Sequence, residues 1–171
     1  VAPADAATFS VTTNSDAGAG SLRDAIAQAN GAAGPDVITF AGGLGPITLT
    51  TGEIGITEGL TITGPGAGAL TVSGNGASRI FYVSTGDAVT ISGLTLTAGS
   101  SGSSGGAVFA DGADLTIQSS TISASDAGGD GGGQGLCGLG RHRGVRQRGG
   151  LSGLSRRVRI PLQPPQDERC R

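Results

Sequence analysis

The groups able to do acid–base, metal or nucleophilic chemistry are few in this chain of 171 residues, which has 11 basic side chains, all Arg, and one His. Arg79 opens the run Arg79-Ile80-Phe81-Tyr82-Val83 and could stand in a groove as the base of a polysaccharide lyase. That chemistry also needs an acid cluster to hold Ca²⁺, and no acid lies close to Arg79 in sequence. Arg23 sits beside Asp24 in a helix-like run, where a surface position accounts for it. A glycoside hydrolase needs carboxylates facing one groove. Asp87, Asp111 and Asp114 instead fall beside turns, where an Asp bonds nearby backbone amides. Asp87 and Asp114 each precede a strand-like run, 27 residues apart, so they could align on one edge and share a Ca²⁺. Gly128-Gly129-Asp130-Gly131-Gly132-Gly133 is faintly similar to glycine-rich Ca²⁺ repeats, but it lacks their spaced Asp and occurs once. His142 has no partner for nucleophilic or zinc chemistry. No catalytic, cofactor-binding or metal residue is therefore assigned, and no cofactor is expected. Rows of Thr and Ser could offer hydroxyls to glycans, although they are also good solvent-facing strand residues.

The elements that would position these residues follow from a repeat. Val89-Thr90-Ile91-Ser92-Gly93-Leu94-Thr95-Leu96-Thr97 lies over Leu115-Thr116-Ile117-Gln118-Ser119-Ser120-Thr121-Ile122-Ser123 at an offset of 26 residues. Apolar residues alternating with Thr or Ser mean strands, and short strands at this period mean a solenoid. The reading is all-β: a right-handed parallel β-helix of about three to four coils over residues 8–133, with three strands per coil. Ile62, Val72, Val89, Ile91, Leu94, Leu96, Leu115, Ile117 and Ile122 should point inward and stack. Leu22, Ala25, Ile26 and Ala29 fall at helical spacing, so residues 21–30 read as a capping helix over the first coil. Ser21 and Asp24 form an S-x-x-D capping box, and Asn30-Gly31 supplies a left-handed stop.

Composition bounds the rest. Gly contributes 34 residues and Pro 7, so folding is argued from strand periodicity and not from composition. Residues 1–130 hold eleven acids against Arg23 and Arg79, while residues 131–171 hold nine Arg against Asp167 and Glu168. No run reaches the ~18 apolar residues of a membrane span. Cys137 and Cys170 do not imply a disulfide. The chain starts at Val1 with no signal peptide, which suggests a removed signal or an excerpt. Low charge, Thr/Ser/Gly richness and a body without Cys fit a secreted or cell-surface bacterial protein.

Residues 1–7 read as an extension and residues 134–171 as a Gly/Arg tail. The repeat demands an apolar strand after Gly133, but the chain supplies Gln134-Gly135-Leu136-Cys137 and then Arg. Thr disappears after Thr121 and no aromatic follows Phe109. Such a switch is how GC-rich DNA translates in a wrong frame, so the tail reads as a frameshifted or otherwise non-native end. The rival is a genuine disordered basic tail, the one feature that would bring nucleic acid in as a partner.

Val11-Thr12-Thr13, Asp16-Ala17-Gly18-Ala19-Gly20-Ser21-Leu22-Arg23, Ala25-Ile26, Ala29-Asn30 and Gly34-Pro35-Asp36-Val37-Ile38-Thr39-Phe40 resemble the opening of bacterial right-handed parallel β-helix repeat proteins, of the polymorphic outer-membrane-like or choice-of-anchor kind. The later Leu-Thr-Ile and Gly-Gly-Ala-Val-Phe phrases are similar to that group's coils. The resemblance covers residues 8–133 and implies a secreted or surface-anchored repeat protein. Two functions are carried forward. One is a non-catalytic, adhesin-like scaffold binding a glycan or a cell-surface protein, with self-association through its open coil end. The other is a fragment of a polysaccharide-acting enzyme, a lyase or glycoside hydrolase, which requires Arg79 and at least two acids to converge on one groove.

Overall fold

Short runs in which every second residue is Ile, Leu or Val bury those residues only if the runs stack on one another. The computed structural model describes residues 5–128, 139–142 and 146–148, and there the runs form an all-parallel β-solenoid of about five turns. The chain enters with β1 (Thr8–Val11), detours through the helix α1 (Leu22–Ala29), and then winds. The first turn holds β2 (Asp36–Phe40), β3 (Ile47–Thr48) and β4 (Ile54–Ile56). The second holds β5 (Leu60–Thr63), β6 (Thr71–Ser73) and β7 (Phe81–Val83). The third holds β8 (Ala88–Ser92), β9 (Thr95–Thr97), β10 (Ser100–Ser101) and β11 (Val108–Asp111). The fourth holds β12 (Asp114–Gln118), β13 (Thr121–Ser123), β14 (Asp126–Ala127) and β15 (Leu139–His142), and β16 (Arg146–Arg148) follows.

Stacking these turns makes three long sheets. The first runs β1-β2-β5-β8-β12-β16, the second β3-β6-β9-β13 and the third β4-β7-β11-β15. The expected three strands per coil hold through β7. From the third turn β10 and β14 add a small fourth sheet. The expectation of three to four coils was low because coil length varies. Asp36 pairs with Leu60, Leu60 with Val89 and Val89 with Leu115, steps of 24, 29 and 26 residues. A fixed period is visible in sequence only where two turns happen to match in length.

The interior is built of columns. Ile38, Ile62, Ile91 and Ile117 lie in register and are buried, as are Leu60, Val89 and Leu115. Val72 and Leu96 continue a third column from Ile47. Of the nine residues expected inside, eight are buried, and Ile122 of β13 is partly buried against the same core. Each fully buried aliphatic side chain contributes roughly 1.5–3 kcal/mol. At the corners of the last two turns a Ser takes over where the ladder breaks. Ser120 Oγ accepts from Leu94 N–H at 3.2 Å, and Ser125 Oγ from Gly99 N–H at 3.1 Å.

Helix α1 covers the open end, as expected. Leu22, Ala25, Ile26 and Ala29 are buried. Ser21 Oγ accepts from Asp24 N–H at 3.1 Å, while Asp24 Oδ2 reaches one residue past the cap to accept from Gly20 N–H at 3.0 Å. The stop differs from the sequence reading. Asn30 keeps helical geometry at φ −62°, and the left-handed residue comes later, at Gly34 with φ +115°. Asn30 is needed elsewhere: its carboxamide donates to Gly55 O at 2.9 Å and accepts from Thr57 N–H at 3.0 Å. One side chain thus acts as a short ladder on the edge strand β4, which otherwise presents unpaired backbone groups.

After Ala127 no strand is expected from the sequence. The backbone nevertheless pairs twice more in parallel, Leu139–His142 along β11 and Arg146–Arg148 along β12. Backbone ladders need no particular side chains, so a segment without the Val/Ile–Thr pattern can still meet the amides of the preceding turn. Gly129–Gly138, Gly144, the two cysteines and the rest of the tail lie outside the described residues, as does the 1–4 part of the N-terminal extension.

Candidate functional site

Alternation that sends Ile54, Ile56, Phe81, Val83, Val108 and Ala110 inward sends the residues between them outward on the third sheet. Gly55, Tyr82 and Phe109 occupy one outward row, in register across β4, β7 and β11. The rings of Tyr82 and Phe109 stack at 5.7 Å between centroids and 19° between planes. Arg79 lies against both, its guanidinium carbon 5.7 Å from the Tyr82 centroid and 5.4 Å from that of Phe109. Close packing of a guanidinium on aromatic rings is favourable on its own.

Arg79 has no acid nearby in sequence but has one nearby in space. Its Nε donates to Glu53 Oε2 at 2.5 Å, and Nη1 donates to Ser104 O at 2.8 Å. Glu53 stands 26 residues earlier, one turn below. Tyr82 Oη donates to Asp111 Oδ2 at 3.1 Å. With Asp111 as its acceptor, the Tyr82 phenol is pushed above its ordinary value of 10.0. The outer face of this sheet therefore carries Glu53, Arg79, Tyr82, Phe109 and Asp111 as one hydrogen-bonded and stacked group.

Its chemistry is that of recognition. A guanidinium presents donors only, and two of those of Arg79 are already committed. Glu53 and Asp111 sit two strands and four residues apart, a backbone separation of about 10 Å across the sheet and about 13 Å along it. Paired carboxyls that cleave glycosides stand roughly 5–9.5 Å apart. The charged groups satisfy one another and hold the rings in place.

No known family model matches the chain, and no curated protein matches it. What the molecule does must be read from its own surface.

The remaining candidates are placed plainly. Arg23 is a latch and not a free surface residue. It donates to Gly52 O at 2.6 Å and Glu53 O at 2.9 Å, and pairs with Asp16 at 2.8 Å. Asp87 closes a local turn with Thr85, its N–H donating to Thr85 Oγ1 at 3.1 Å. Asp114 pairs with Ala88 and so falls one position out of step with Asp87. Among the described residues no three His, Cys, Asp or Glu side chains gather as a metal site requires. Asp130 and the glycines around it lie outside the described residues, and only the backbone of His142 is described, within β15. Among the described residues no helix is long and apolar enough to cross a membrane.

Sequence reasoning missed Glu53, and it placed Asp111 only as a turn residue. The signal that could have found them is the outward row Gly55–Tyr82–Phe109, visible once the coils are aligned at their true, unequal lengths.

Proposed function

We propose that this β-solenoid is a secreted or cell-surface scaffold of the β-helix repeat kind its opening residues resemble, and that it binds glycan chains without turning them over. The observation that carries the reading is the Tyr82–Phe109 stack, exposed on a rigid sheet and braced by Arg79, with Glu53 and Asp111 beside it. Aromatic rings with polar groups at their edges suit a ligand that is apolar on its ring faces and hydroxylated at its rim. A preformed sheet face loses little entropy on binding.

The enzyme reading keeps one specific support: Arg79 and Glu53 do meet, and Tyr82 links Asp111 to the same face. One experiment separates the two. The protein is incubated with insoluble cellulose, chitin and polygalacturonate, and both the sedimented fraction and the released reducing or unsaturated ends are measured. Co-sedimentation with a polysaccharide and no product growing with time is the expected result. Product that accumulates with time, and is lost in Arg79→Ala, would establish the enzyme instead.

A further inference from the structure

The geometry of the aromatic stack points to where a sugar unit would sit. Two rings 5.7 Å apart and nearly parallel lie one above the other along the solenoid axis, since neighbouring strands are about 4.8 Å apart. Arg79 is almost equidistant from the two centroids, at 5.7 and 5.4 Å, so it stands beside the stack. Over an outer face it would be about one strand spacing farther from one ring than from the other. The face of Tyr82 turned away from Phe109 is left open.

That face looks toward Gly55, its register partner on β4. Gly55 is exposed, and a Cβ added there would meet nothing within 4 Å. The missing side chain leaves a recess one strand wide, with Tyr82 as its wall. Glu53 and Thr57 flank the floor two residues to either side of Gly55, and the Asn30 carboxamide closes the far rim. Glu53, Arg79 and Asp111 together carry one net negative charge. Residues 1–130 add to it, with eleven acids against two Arg. A uronate would meet repulsion there, whereas a neutral sugar would not.

We propose that the recess over Gly55 seats one neutral hexopyranose unit of a glycan, with its ring face on Tyr82 and its hydroxyls toward Glu53, Thr57 and Asn30. This rests on the glycan reading above and adds the position and charge class of the ligand. The chain has one Tyr and no Trp, so tyrosine emission reports on this wall alone. The full-length protein is titrated with cellohexaose, with N-acetylchitohexaose, and with trigalacturonate as the acidic control. A saturable change in emission with at least one neutral oligosaccharide, and none with trigalacturonate, is expected. Gly55→Leu, at an outward strand position with open space, should keep the strand circular dichroism and weaken binding about tenfold or more, the loss of one stacking contact. Unchanged affinity in Gly55→Leu, or equal binding of trigalacturonate, would overturn the seat. So would silence toward both neutral oligosaccharides in a protein that still sediments with a polysaccharide. Failure to sediment with any polysaccharide would remove the glycan reading itself.

Discussion

Asp16 organises more of the N-terminal end than any other single residue. Its Oδ2 accepts from Thr50 N–H at 3.0 Å, Thr51 N–H at 2.8 Å and both threonine hydroxyls, at 3.0 and 2.7 Å. Its Oδ1 takes Arg23 at 2.8 Å. Burial pushes this carboxyl up, but the bonds from Arg23, Thr51 and Thr50 outweigh it and hold Asp16 far below its ordinary value of 3.8. A carboxyl depressed in this way stabilises the fold above its ordinary value and loses that contribution as falling pH protonates it. Asp16→Ala should therefore cost about 3 kcal/mol at neutral pH, in keeping with several charge-assisted hydrogen bonds lost at once. The gap to the parent in urea unfolding should be full above pH 3.8 and shrink steadily below it. A gap that is constant into strong acid would show that the carboxylate is not the source. None of these bonds is legible in the sequence, where Asp16 sits in a turn-like run and its partners lie 34 and 35 positions on. Glu53 was hidden for the same reason. Both residues make contacts set by how the first turns are wound, and those turns lack the 26-residue spacing that betrays the later ones.

At the scale of elements, what could be read was what has a local cause. The stripe Leu22, Ala25, Ile26 and Ala29 specified α1, and all four residues are buried. The strand alternation specified which side chains go inward. The end of the helix was misjudged because Asn30-Gly31 is a stop signal only when nothing else competes for Asn30, and here the edge of β4 does. The helix is thus held by apolar packing on one side and by Asp16, Arg23 and Asn30 along the rim. Ile26 is the test of the packing. It is 0 % exposed, so Ile26→Asp places a charge against the core end and should destabilise the protein by about 3–5 kcal/mol. Thermal unfolding followed by circular dichroism would reveal a large fall in midpoint. A midpoint equal to that of the parent would mean that the helix does not pack as a cap.

At the scale of the whole molecule, the solenoid was evident from a single pair of matching coils, since a parallel stack is the arrangement in which two such copies bury each other. Its stability is then a sum over neighbours: each turn supports the next, and no turn holds the whole together. This bears on the Gly/Arg segment after Gly128. Its backbone extends two of the sheets, at β15 and β16, without the apolar alternation that drives the earlier turns. A chain ending at Gly128 keeps the columns Ile38–Ile62–Ile91–Ile117 and Leu60–Val89–Leu115 complete, together with the cap. It should still unfold cooperatively, with its strand circular dichroism retained. What it loses is the partner of β11 and of β12, and two bare parallel edges are templates for a second chain. The truncated protein should therefore associate as its concentration rises, whereas the full-length chain should do so less. Sedimentation velocity over a range of concentrations distinguishes the outcomes. A truncated chain that is unfolded would show residues after Gly128 to be an obligatory cap. A folded one that stays monomeric would show that the edges of β11 and β12 need no cover.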